Sequence, residues 1–153
     1  MNKNGEQRIG LRSVTRMYAV QVLFRIISEK KLSVDELIKE SRVNSEVFIS
    51  ENLSLFDIDQ DFFCKLIMVT KENCLKIDEI ISNNLSDNWK VNRLDPVIIC
   101  ILQLGIAELL YLTDIPPKVV LNEYIEISKA FFQKNEVAFV NGLLNSVANA
   151  KNL

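Results

Sequence analysis

A chain of 153 residues that is 48% hydrophobic can bury a core of its own, and with only four glycines and three prolines it lacks the turn residues an all-β protein needs. It has no histidine, which excludes imidazole bases and histidine metal ligands, and its formal net charge is −2. That charge is uneven: the first 31 residues hold seven basic against two acidic side chains, a net of +5, leaving −7 for the remainder and predicting a basic contact surface at one end of an acidic body.

Along the chain, residues 11–28 predict a helix. Arg8, Arg12 and Arg16 stand four apart, and at about 3.6 residues per turn such a spacing makes one slowly turning stripe. The stripe is basic at its start and apolar farther on, at Ala19, Leu23 and Ile26. Gly10 weakens the first turn, so residues 1–10 are expected as a flexible arm carrying Arg8. Residues 33–42 predict a short helix opened by a Ser33–Glu36 capping box, and 43–56 a short helix and a loop.

Asp57, Asp59 and Asp61 precede a helical pattern running from Phe62 to Ile81, with a break expected near Lys76. Acidic residues there complement the helix dipole. A calcium loop would need a glycine at its sharp turn and a closing glutamate, and neither is present. Trp89 is expected at the edge of the core. Asp95 and Pro96 read as the N-cap and first residue of a helix that is apolar nearly all round, the central element, with Glu108 inside it as a paired structural group. Pro117 opens the next helix, whose apolar faces come from Val119, Val120, Tyr124, Ile127 and Phe131. Asn135 is the expected N-cap of the last helix, in which Gly142 is expected to allow close packing against a neighbour.

Cys64, Cys74 and Cys100 have no metal-binding or redox spacing and read as buried small hydrophobes in a reducing compartment. No apolar run reaches the roughly 20 residues of a membrane span, and no secretory signal is seen, so a cytoplasmic protein is expected. Phosphate-binding loops, nucleophile elbows and zinc motifs are absent. No catalytic residue, metal ligand or cofactor is assigned, and the chain is read as a non-enzyme. The pattern is all-α, about seven helices with short connections.

Three blocks carry a family likeness: "RSVTRMYAVQVLF" (12–24), "DIPPKVVLNEYIEISKAFF" (114–132) and "FVNGLLNSVA" (139–148). In this order and spacing they resemble the NusB family of bacterial transcription antitermination factors, and "LDPVIICILQLGIAELL" (94–110) is similar to the family's central helix more loosely. The resemblance implies two small packed helical subdomains, about 11–75 and 76–150, within one RNA-binding domain over 11–153. It implies binding of single-stranded boxA RNA in leader and ribosomal RNA transcripts, jointly with NusE, a small-subunit ribosomal protein. Through them it implies an indirect link to RNA polymerase and other Nus factors.

On the positions that match the family's motifs, the resemblance implies that Arg12, Ser13, Thr15 and Arg16 are the RNA contacts of the first helix, and Lys134, Asn135 and Phe139 those at the turn into the last. Guanidinium groups offer planar donors to phosphates and stack on unpaired bases; hydroxyls add short phosphate contacts. Phe139 either stacks a base or fills the core. Asn141 is expected to hydrogen-bond structurally. Phe24 and Ile98 are placed toward NusE. Ile98 stands where an acidic residue is usual, Gln103 where an arginine is, and Ala107 where an aromatic is; Ile98 makes the partner surface more apolar. The alternative is an RNA-independent interaction module whose basic first helix docks an acidic protein. Monomer and homodimer both stay open.

Overall fold

A computed structural model describes the backbone of residues 3–29, 58–86 and 93–151, with side chains from Gly10 to Ser28 in the first of these segments. Among the described residues all regular structure is helical: α1 (Lys3–Glu29), α2 (Gln60–Glu72), α3 (Cys74–Asn83), α4 (Pro96–Tyr111), α5 (Pro117–Phe131) and α6 (Lys134–Ala150). The helix expected over 33–42, Asp57 and Trp89 lie outside the described residues. The chain divides into two compact units, residues 1–68 and 69–153.

In the first unit, α1 starts at Lys3, eight residues ahead of the expected start. Glu6, Gln7 and Arg8 are good helix formers and offset the roughly 1 kcal/mol that Gly10 costs relative to alanine. Its buried side is built from Tyr18, Ala19, Val22, Leu23 and Ile26, whose spacing is that of a core face. Asp59 caps α2, its Oδ1 accepting from the Phe62 N–H at 3.0 Å, and Asp61 sits in the first turn where the dipole favours it. Phe62, Phe63, Leu66 and Ile67 turn inward, and the Tyr18 and Phe63 rings meet tilted at 46°, 5.1 Å between centroids.

In the second unit the break falls at Asn73, three residues ahead of Lys76. Asn73 donates both its backbone N–H and its side-chain Nδ2 to the Val69 carbonyl, at 3.2 and 2.8 Å. A side chain that competes for a helical carbonyl ends one helix and lets another begin. Farther on, Asp95 Oδ1 accepts from the Val97 N–H at 2.8 Å and Pro96 follows as the first helical residue, as the dipeptide predicts. Helix α4 is buried from Cys100 through Leu109, and α3, α5 and α6 all pack on it.

Polar groups tie that core together. Tyr124 Oη donates to Glu108 Oε2 at 2.7 Å in a fully buried pair, the structural role expected of Glu108. Gln103 Nε2 donates to Asp78 Oδ1 at 2.7 Å, joining α4 to α3. Lys151 Nζ donates to the Leu110 carbonyl at 2.9 Å near the end of α4. Cys100 is buried, and desolvation, helped by the charge of Asp95, pushes its thiol up to about 12. Cys64 and Cys74 are only half-buried.

Other expectations change. The tightly packed glycine is Gly105: a Cβ there would stand 3.1 Å from Leu144 Cδ2, so α4 and α6 approach closely at this point. At Gly142 a Cβ would meet open space, because that position faces outward on α6. Val119 and Phe131, read as apolar faces of α5, are exposed. The N-cap of α6 is Gln133 in extended backbone, with Val137 N–H bonding to its carbonyl at 3.1 Å, and Asn135 lies inside the helix.

Candidate nucleic-acid interface

The first unit gathers cations around one ring. Arg12 Cζ lies 4.7 Å and Arg16 Cζ 5.1 Å from the centroid of Phe62, within cation–π range. Arg12 also pairs with Asp59, Nε to Oδ2 at 3.7 Å, while its side chain stays 36% exposed. Arg16 is 2% exposed and makes further contacts. A turn of 40° per four residues therefore carries the stripe from the surface at Arg12 into the interior at Arg16.

Thr15 is fully buried. Its Oγ1 donates to the Leu11 carbonyl at 2.6 Å and accepts from the Asp59 N–H at 2.9 Å, so the hydroxyl ties α1 to the start of α2. Ser13 is half-buried beside Arg12. Asp59 and Phe62 organise this corner, and sequence reasoning missed them in that role. The capping position of Asp59 was readable; that the same residue receives Thr15 and Arg12 was not, since 44 residues separate it from Thr15. Phe24 stands on the same helix, 37% exposed, an aromatic ring available to a partner.

The second unit places Lys134 and Asn135 exposed at the start of α6 and Phe139 half-buried one turn on. Asn135, Phe139 and Gly142 recur at i, i+4 and i+7 and share one face of that helix. Ile98 is 5% exposed and belongs to the core of its unit, because α4 is apolar nearly all round and packed on by three helices. Asn141 is exposed, and both its backbone carbonyl and its Oδ1 accept from Asn145 Nδ2, at 2.8 and 2.6 Å. Among the described residues no group of three or more His, Cys, Asp or Glu side chains is placed to hold a metal, and no helix is long and apolar enough to cross a membrane.

Comparison with known proteins places these features in a family context. Residues 13–149 match the model of the NusB family. The chain is 38% identical over 144 residues to the transcription antitermination protein NusB of Caulobacter vibrioides, covering 92% of this chain and 94% of that protein. It is 36% identical over 137 residues to that of Listeria monocytogenes, covering 90% and 95%. Its fold is similar to that of NusB from T. maritima, with a TM-score of 0.74 at 30% identity over 90% of each chain. It is also similar to a chain in a crystal structure of the antitermination factors NusB and NusE in complex with dsRNA, with a TM-score of 0.72 at 26% identity over 90% of this chain and 96% of that one.

Proposed function

The chain belongs to the NusB family, and from that premise we propose that it is a non-enzymatic, cytoplasmic antitermination factor that binds single-stranded boxA RNA of leader and ribosomal RNA transcripts together with NusE. Bound to both, it links the transcript indirectly to RNA polymerase and other Nus factors and favours processive ribosomal RNA transcription.

The observation that carries this reading is the pre-ordered guanidinium of Arg12, held against Phe62 and Asp59 yet partly open to solvent. An ordered planar donor loses less side-chain freedom when it meets a phosphate than a free one does. Arg12 and Ser13 are the contacts of the first unit. Thr15 and Arg16 support them from behind: Thr15 by fixing the start of α2, Arg16 by holding the Phe62 ring as a second, buried cation. In the second unit Lys134 supplies charge to a phosphate, Asn135 a polar contact and Phe139 a face on which a base stacks. Phe24 meets NusE; Ile98, buried in the core of the second unit, acts only through that unit's own packing.

The mechanism is additive. Few cations face RNA on a chain of net charge −2, so the protein alone binds weakly, and NusE extends the surface. The test is equilibrium binding of a boxA oligonucleotide with and without NusE, with wild type and Phe24→Ala. Binding should tighten with NusE, and Phe24→Ala should reduce that gain while leaving RNA binding in its absence unchanged. Partners that join the chain with no RNA binding in either condition would instead support the RNA-independent module.

A further inference from the structure

The start of α6 has a second face. Lys134, Val137, Ala138 and Asn141 recur at i, i+3, i+4 and i+7, about a quarter-turn from the face of Asn135 and Phe139. Together with α5 they border an open groove of about 440 Å³. Its floor is apolar: Ile125, Phe132, Val137 and Ala138.

Its polar rim, Gln133 apart, presents donors. Lys129 and Lys134 carry ammonium groups, which only donate. Lys129 is engaged by Glu126 at 2.8 Å, whereas Lys134 makes no ion pair among the described residues. Asn141 is fixed in its orientation. Asn145 Nδ2 bonds to the Asn141 backbone carbonyl, an acceptor only, so the amide of Asn145 must turn its nitrogen that way. The same nitrogen then requires the oxygen of the Asn141 side chain, at 2.6 Å. That leaves Asn141 Nδ2, with its two N–H groups, as the end available to the groove.

An apolar slot edged by an amide donor and an ammonium with no ion pair among the described residues fits a flat ring that carries carbonyl oxygens and is joined to a phosphate. We propose that this groove seats one unpaired carbonyl-bearing nucleobase, uracil, cytosine or guanine rather than adenine, with Asn141 Nδ2 donating to the carbonyl and Lys134 holding a flanking phosphate. The two-point pairing of asparagine with adenine presents the oxygen and the nitrogen of the amide side by side to the base, and here the oxygen is turned toward Asn145. This proposal rests on the RNA-binding reading above and adds to it a base-selective contact at a residue expected only to hydrogen-bond within its own helix.

The test uses the full chain and two labelled single strands of equal length, oligouridine and oligoadenosine, with binding read by fluorescence polarisation. Wild type should prefer oligouridine. Asn141→Ala should weaken oligouridine binding about two- to tenfold, the weight of one hydrogen bond, and leave oligoadenosine unchanged, erasing the preference. Lys134→Ala should weaken both strands equally. Ala138→Trp, which fills the groove, should reproduce the effect of Asn141→Ala; circular dichroism establishes that each variant is folded. An unchanged ratio of the two affinities in Asn141→Ala overturns the groove assignment while wild-type binding leaves the RNA reading in place. Failure of wild type to bind either strand, or a boxA oligonucleotide, with and without NusE overturns both. If Ala138→Trp alters sedimentation of the chain and leaves RNA binding untouched, the groove is a face for a second copy, and the proposal fails.

Discussion

Glu108 is fully buried, and the phenol of Tyr124 is one of the donors that replace water around it. Tyr124→Phe keeps the ring and removes the donor, so it should lower unfolding free energy by about 1–3 kcal/mol in chemical denaturation, with no change in helix content. Cys100 behaves differently because its environment favours the neutral thiol. Below the ordinary thiol value of 9.0 its contribution to stability is complete; it is lost as pH rises toward about 12, because the unfolded chain releases that proton first. Thiol labelling of the native protein at mild pH should therefore modify Cys64 and Cys74 and spare Cys100 until the chain unfolds. The arginine pair marks how far single residues can be read. Spacing put Arg12 and Arg16 on one stripe, and both do reach the same ring. The edge of the buried face falls between them, at 36% and 2% exposure, and that edge depends on Phe62, which spacing within α1 does not reveal.

Helix boundaries were legible where the signal is local. Asp95 and Pro96 bring both the cap and the first-turn geometry with them, and Asp95→Ala should cost about 1 kcal/mol. The break at Asn73 and the start of α6 at Lys134 were misplaced by a few residues, because each depends on which of several polar side chains captures a free backbone group. The glycines show what tertiary packing alone decides. Both Gly105 and Gly142 sit within helices, and each forgoes about 1 kcal/mol of helix propensity relative to alanine. At Gly142 nothing stands in the way of a methyl group, so Gly142→Ala should raise the melting temperature by the equivalent of up to about 1 kcal/mol. At Gly105 the methyl would press on both methyl groups of Leu144, which is itself fully buried and cannot move aside freely, so Gly105→Ala should destabilise by about 1–2 kcal/mol net of the propensity gain. Thermal melts of the two variants should move in opposite directions.

At the scale of the whole molecule, the charge pattern sets how RNA is held. With a net charge of −2, the attraction for a polyanion is confined to the first 31 residues, at +5, and the −7 of the remainder opposes it. Binding must come from a few local contacts and carry a shallow salt dependence. The fold class and the family were legible in the blocks that make α1, α5 and α6. The site was legible only as residue types: which arginine faces outward, which amide end is free and which phenylalanine anchors the corner follow from contacts between helices. The most direct measurement is the boxA affinity of wild type and Arg12→Ala, each as a function of salt. Loss of about three- to tenfold in affinity, with the salt slope lowered by about 0.7, is expected for one phosphate contact to a single strand. The same affinity and the same slope in both proteins would contradict the assignment of α1 to RNA.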